Sequence, residues 1–197
     1  MNYFLEFSRT DPRLKRLREI FLTKAFLKRE ENEEPFQLVS GELTHIYFDL
    51  RMVTQDPEGI ALIAEIIFDE ICKLPKVDAI GGAETGAIPI STAVAYQSFL
   101  RNNPISSFWV RRERKTYGTK KWIEGNLAPG YNIVIVEDVT TTGGSVIQVI
   151  ERTQSEGCKV VAVISLVDRE RGAQARFKEA GYDFGSLFAI SDFPLNQ

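Results

Sequence analysis

The segment Val134-Ile135-Val136-Glu137-Asp138-Val139-Thr140-Thr141-Thr142-Gly143-Gly144-Ser145-Val146 constrains the fold more than any other part of the chain. Residues 133–136 form a β-branched apolar run, the pattern of a strand covered on both faces, as strands of parallel sheets are. Two acids, a hydroxyl- and glycine-rich loop and a helical pattern with Val146, Val149 and Ile150 on one side follow directly. A buried strand that feeds a helix is half of a crossover unit, and parallel strands require such crossovers. The same order recurs: Val77-Asp78-Ala79-Ile80 runs into Gly81-Gly82-Ala83-Glu84-Thr85-Gly86, and a helix is expected over 88–100, with Pro89 tolerated in its first turn. Strands expected over 107–110, 160–167 and 186–190 and a helix over 173–180 extend the series. The fold class is therefore α/β, a doubly wound, mainly parallel central sheet with helices on both faces and ligands beyond the carboxyl ends of its strands.

The first third reads differently. Thr10-Asp11-Pro12 offers a cap, and Leu14, Leu17, Phe21, Ala25 and Lys28 at helical spacing predict a helix ending near Lys28. Residues 28–35 read as a charged surface connection, and 36–51 as a short strand pair around Ser40-Gly41. Asp56-Pro57 caps a helix whose buried stripe is Ile60, Ile63, Ile67, Ile71 and Leu74, with Cys72 expected in the core. Residues 111–130 read as one long polar loop. A single domain suits 197 residues, and the lone His45 excludes multi-histidine metal centres. The two cysteines are far apart and form no thiolate zinc motif. A net charge of -3 supplies no broad basic face for nucleic acid. No apolar run reaches the ~20 residues of a membrane helix, so a cytoplasmic protein is expected.

Three loops carry chemistry. A loop opening into a helix aims backbone N–H groups and the positive end of the helix dipole at one place, which suits a phosphate monoester. Thr140, Thr141, Thr142 and Ser145 add hydroxyls around Gly143 and Gly144. Glu137 and Asp138 would repel that phosphate, so a sugar whose hydroxyls they accept fits between. The loop lacks the GK[ST] of a Walker A motif and the GxGxxG of a dinucleotide fold. A capped polar turn is the plain alternative, but it needs neither two acids nor three threonines. The second loop, Arg111-Arg112-Glu113-Arg114-Lys115-Thr116-Tyr117-Gly118-Thr119-Lys120-Lys121, gathers cations in an acidic chain. Arginine forks and a movable lysine charge suit a pyrophosphate, and a long glycine-containing loop can close over it. Taken alone, it would read as an exposed basic turn. The third, Gly81 to Gly86, leads into Ile88-Pro89-Ile90.

In its order of strand, acidic pair, Thr-Gly loop and helix, the 134–146 run resembles the 5-phosphoribosyl-1-pyrophosphate (PRPP) signature of the type I phosphoribosyltransferases. The basic segment is similar to the catalytic loop of the orotate phosphoribosyltransferases. The likeness extends to Phe36-Gln37-Leu38-Val39-Ser40-Gly41 and Ile46-Tyr47-Phe48-Asp49-Leu50-Arg51, which look like that family's hood, and to Gly81–Gly86 as its pyrophosphate loop. Glu124-Gly125 and Asp168-Arg169-Glu170 also fit. The resemblance implies one phosphoribosyltransferase domain over 1–197, with a helix and hood in 1–55 and an α/β core in 56–197 that contains a mobile loop, 111–130. It implies transfer of ribose 5-phosphate from PRPP to orotate in pyrimidine nucleotide biosynthesis. Lys115, Glu137 and Asp138 would be catalytic. Arg111, Arg112, Lys115, Tyr117, Thr85, Glu137, Asp138, Thr140, Thr141, Thr142, Gly143, Gly144 and Ser145 would bind PRPP, and Tyr47, Phe48 and Arg169 the base. Magnesium would be held by PRPP and water rather than by a protein cage, and loop residues would be shared across a homodimer. Glu84 is open between a magnesium-linked and a structural role, and His45 between a base contact and a surface imidazole. Val39 and Thr44-His45 depart from the family's hood pattern. They keep another acceptor, such as xanthine or a second pyrimidine, as the alternative. A non-catalytic PRPP sensor is the remaining class, for which no nucleic-acid module is visible.

Overall fold

The computed structural model describes residues 5, 7–37, 41, 43–113 and 121–195. Asp11, not Thr10, starts α1 (Pro12–Ile20); its carboxylate accepts from the Arg13 amide, and proline takes the first turn, where its missing N–H costs nothing. Helical spacing predicts a helix to Lys28. The chain instead makes one π-helical turn, Phe21–Ala25, and extends as β1 (Phe26–Lys28). β2 (Phe36–Gln37) pairs antiparallel with β3 (Leu43–Thr44), the expected short hairpin, and β4 (Ile46–Phe48) folds back antiparallel onto β1. That long-range pairing overrides the local helical pattern. Phe193 seals these strands to the core: its ring lies 5.8 Å from Phe26, 4.8 Å from Phe48 and 5.5 Å from Phe188.

After α2 (Arg51–Thr54), Asp56 caps α3 (Pro57–Ile71) by accepting from the Gly59 amide at 2.9 Å. Ile63, Ile67 and Ile71 are buried as expected, whereas Ile60 and Leu74 are half-buried. Cys72, expected in the core, is exposed at the C-terminal end of α3, because the helix ends just before it.

The remaining elements are β5 (Ala79–Ala83), α4 (Ala87–Leu100), β6 (Ser106–Val110), β7 (Ile123–Gly125), β8 (Asn132–Thr140), α5 (Gly144–Ser155), β9 (Lys159–Asp168), α6 (Ala173–Glu179) and β10 (Phe184–Ala189). They form one six-stranded sheet in the order β10-β9-β8-β5-β6-β7. All neighbours are parallel except β7, which runs antiparallel to β6 along the edge. Residues 111–130 are thus not one loop, since β7 interrupts them. Alternation along β8 divides the core. Val134 and Val136 pack on the α1, α3 and α4 side, and Ile133 and Ile135 on the α5 and α6 side. From β5 the chain moves outward to β6, whereas from β8 it moves the other way to β9. The switch point between β5 and β8 opens a crevice at their carboxyl ends, where ligands of such sheets bind. Among the described residues no helix is long and apolar enough to cross a membrane.

Candidate active site

A cavity of about 960 Å³ occupies that crevice. Its wall combines Glu84, Thr85 and Gly86 after β5, Glu137, Asp138, Val139 and Thr141 from β8 and its loop, Arg112 after β6, Arg169 after β9, and Tyr47 to Arg51 from the hood. Five chain segments far apart in sequence therefore meet there.

β8 runs two residues past the two acids, so Glu137 and Asp138 lie within the strand rather than at a free end. Glu137 is only 9% exposed, and its Oε2 has no hydrogen-bond partner. Burial, reinforced by neighbouring Asp138, pushes its carboxyl well above the ordinary carboxylate range; the charge of Arg112 partly opposes this. Asp138 is half-buried, and its Oδ1 accepts from the Val139 amide at 2.8 Å. It abuts the start of α4, so closely that a Cβ on Gly86 would meet the Asp138 Cγ at 2.5 Å.

Thr140 is not brought to the cavity. It is 2% exposed, and its hydroxyl donates to Ser165 Oγ at 3.0 Å, which in turn donates to the Val167 carbonyl at 3.0 Å. Thr141 borders the cavity, while Thr142 and Ser145 are exposed. Gly143 opens α5 at φ +76°, a left-handed backbone that favours glycine, and a Cβ there would lie 2.7 Å from the Phe177 ring. Gly144 is the first residue of α5, so the helix's unbonded N–H groups begin at this loop.

The two arginines at the root of the basic segment divide. Arg112 borders the cavity. Arg111 does not; its Nη1 lies 3.8 Å from Glu124 Oε1, and its amide donates to the Trp122 carbonyl at 2.9 Å. Arg152 of α5 braces this stem, donating to the Arg111 carbonyl at 2.7 Å and stacking 4.0 Å above the Trp122 ring. Lys115 and Tyr117 lie outside the described residues. Glu84, left open by its sequence, holds Arg112: its Oε1 accepts from the Arg112 amide at 2.9 Å, and its carbonyl accepts from Arg112 Nε at 3.2 Å.

On the hood side Tyr47 borders the cavity, with its ring 5.5 Å from Phe36. Phe48, also expected at the base, borders the cavity too, but its ring packs on Phe26 and Phe193 and it is only 7% exposed. Successive strand residues face opposite sides, so Tyr47 and Phe48 cannot share one face. Arg169 is buried, with Nη2 3.3 Å from Thr44 Oγ1 and its amide donating to the Thr140 carbonyl at 2.8 Å. His45 does not border the cavity; its carbonyl accepts from the Arg29 amide. Sequence reasoning gave no role to Arg51, whose Nε donates to Asp49 Oδ1 at 2.8 Å on the cavity wall. The only signal was its place in the hood motif.

A model of the phosphoribosyl transferase domain matches residues 50–194. The chain is 43% identical over 183 residues to the orotate phosphoribosyltransferase of Rhodopseudomonas palustris (strain TIE-1), covering 90% of this chain and 94% of that protein. It is 40% identical to the Aquifex aeolicus orotate phosphoribosyltransferase over 161 residues, 82% of this chain and 87% of that one. Its fold superposes with a TM-score of 0.74 on Mycobacterium tuberculosis orotate phosphoribosyltransferase crystallised with PRPP, at 29% identity over 92% of this chain and 98% of that one. With a crevice at the β5/β8 switch point and relatives matched almost end to end, the chain belongs to the orotate phosphoribosyltransferases of the phosphoribosyl transferase domain family.

Proposed function

We propose that this protein transfers ribose 5-phosphate from PRPP to a ring nitrogen of orotate, releasing pyrophosphate and giving orotidine 5′-monophosphate. The observation that carries the reading is the separation of charge in the cavity. Glu137 and Asp138 stand on the β8 wall, Arg112 closes the side after β6, and Arg169 is buried against the hood. As the C1–O bond loosens, positive charge grows on the ribose and negative charge on the departing pyrophosphate. Fixed groups of opposite sign at the two places lower the barrier without reorganising. In this reading Asp138 carries the negative charge facing the ribose, and Glu137, whose carboxyl burial pushes well above the ordinary range, stands beside it on β8. Thr141, Thr142, Ser145 and the first amides of α5 take the 5-phosphate. Arg112 and Lys115 take the pyrophosphate, while Tyr47 and Arg169 take the acceptor, the guanidinium facing its carboxylate.

Among the described residues no three His, Cys, Asp or Glu side chains converge into a metal cage. Asp138, the half-buried carboxylate on the wall, would suit a magnesium ion held mainly by PRPP oxygens and water. When bound, such an ion would supply positive charge to offset that of the departing pyrophosphate. Residues 1–197 act as one cytoplasmic domain in this reading, with 1–55 as hood. A homodimer is supported by α4, which exposes Tyr96, Phe99 and Leu100; Tyr96 also borders the cavity, so a second copy covering this face would sit beside the site.

The test is to mix protein, PRPP, magnesium and orotate and follow the loss of orotate absorbance together with pyrophosphate release. Both should proceed in equal amounts. Pyrophosphate release only with a purine or another pyrimidine would overturn the acceptor, and its absence with every base would overturn the reaction.

A further inference from the structure

We propose that Glu84 is a positioning residue for pyrophosphate recognition and acts through Arg112. The inference rests on the assigned reaction only in taking the anion at Arg112 to be pyrophosphate. An acid on a wall meant for an anion is a liability unless its charge is committed elsewhere. Here one residue fixes both halves of Arg112. The carboxylate accepts the Arg112 backbone N–H at 2.9 Å, and the Glu84 carbonyl accepts Nε at 3.2 Å. A guanidinium is a rigid plane, so anchoring Nε sets the direction in which its Nη1/Nη2 edge faces.

The Glu84 amide itself donates to the Val110 carbonyl at 2.9 Å, continuing the β5–β6 ladder to the last residue of β6. Arg112 lies two residues beyond. The Glu84 side chain therefore extends by one link a ladder that the backbone has stopped making. It ties the turn after β5 to the segment leaving β6, 28 residues later in the chain. Both residues border the cavity that also holds Asp138. The arrangement places a cation on the wall of the cavity that also holds the acidic pair.

The role is separable from simple anion binding because Glu84 cannot itself attract pyrophosphate. Its loss should weaken binding only while Arg112 is present. The experiment measures pyrophosphate affinity by titration calorimetry, and KM for PRPP against kcat, for wild type, Glu84→Ala, Glu84→Gln, Arg112→Ala and the Glu84→Ala/Arg112→Ala double variant. Glu84→Ala should raise the pyrophosphate Kd and the PRPP KM about tenfold, the scale of a hydrogen bond to a charged group. Glu84→Gln keeps an acceptor for the amide and should lose about threefold or less. The double variant should match Arg112→Ala, since the two act as one unit. Additive losses, or tighter binding by Glu84→Ala, overturn the proposal, as does a Glu84→Ala protein indistinguishable from wild type. Calorimetry with pyrophosphate needs no acceptor base. The expected ranking in a protein that turns over no base would refute the reaction and leave this pairing standing.

Discussion

Replacing Gly86 by alanine asks whether the start of α4 and the acidic pair are one mechanical piece. Gly86 has φ -62° and ψ -41°, ordinary helical values, so alanine meets no backbone strain. The perturbation is purely steric: the new methyl would lie 2.5 Å from Asp138 Cγ and 2.6 and 2.7 Å from its two oxygens. Ordinary contact begins at 3.4 Å, so the carboxyl group must retreat by about 0.9 Å. It cannot do so without stretching the bond its Oδ1 accepts from the Val139 amide at 2.8 Å. A displacement of about 1 Å of a reacting or charge-stabilising group costs on the order of 100-fold in rate. That equals about 2.7 kcal/mol of transition-state stabilisation. Alanine at a compatible position gains roughly 0.4–1 kcal/mol through the unfolded chain, and overpacking costs about 1–3 kcal/mol, so the melting temperature should fall by no more than about 10 degrees and the variant stays folded at the assay temperature. The assay is kcat/KM for PRPP with saturating orotate, beside a thermal melt. A folded variant within threefold of wild type would refute the claim that Gly86 keeps Asp138 in place.

Glu137→Gln tests the buried acid through stability. A carboxyl raised above its ordinary 4.5 binds more protons in the native state than in the unfolded chain. Its contribution is fully present below pH 4.5 and is lost as pH climbs toward the native value, so the glutamine variant should flatten that decline and melt higher at pH 8. An unchanged pH slope between wild type and variant would contradict the buried protonated acid. Arg152→Met removes both the bond to the Arg111 carbonyl and the stack on Trp122, and should destabilise by about 1–3 kcal/mol and shift Trp122 fluorescence, whereas a silent variant would show the stem to be self-sufficient. Lys115→Ala should lower turnover much more than PRPP affinity, and wild-type turnover would remove Lys115 from the mechanism. Phe99→Glu, charging a side chain 69% exposed on α4, should halve the mass in sedimentation velocity; an unchanged mass would place the partner on another face.

The sheet was legible because its central strands β8 and β9 are β-branched runs buried on both faces, and glycines punctuate the exits of β5 and β8. β9 could be read to within a residue at each end, whereas β8 runs on through the two acids to Thr140, where the apolar signal had already stopped. β1 could not, since Phe21, Ala25 and Lys28 continue a helical spacing and only β4, some twenty residues on, supplies the competing hydrogen bonds. β7 was invisible for the same reason: three residues whose strand character comes entirely from β6. In the site, residue types were readable and orientations were not. Thr140 has the chemistry of a phosphate ligand but sits on the sheet, where Ser165 takes its hydroxyl. The Tyr47/Phe48 pair is instructive, because strand alternation alone forbids both rings from one face. Glu84 and Arg112 illustrate the other limit, a bond spanning 28 residues with no local signal.

During synthesis the two ends of the cavity mature at different times. In the proposed reading the phosphate side is built by β5, β8 and α5, whose last residue, Ser155, precedes Phe193 by 38 positions. The base side waits for Phe193, whose ring wedges against Phe26 and Phe48 and so fastens the strands that carry Tyr47. At ~5–20 residues per second the lag is a few seconds. In that reading, a chain lacking Phe193 would keep the strands of the sugar-phosphate wall but leave the acceptor wall unlatched, so acceptor recognition would be the last competence acquired.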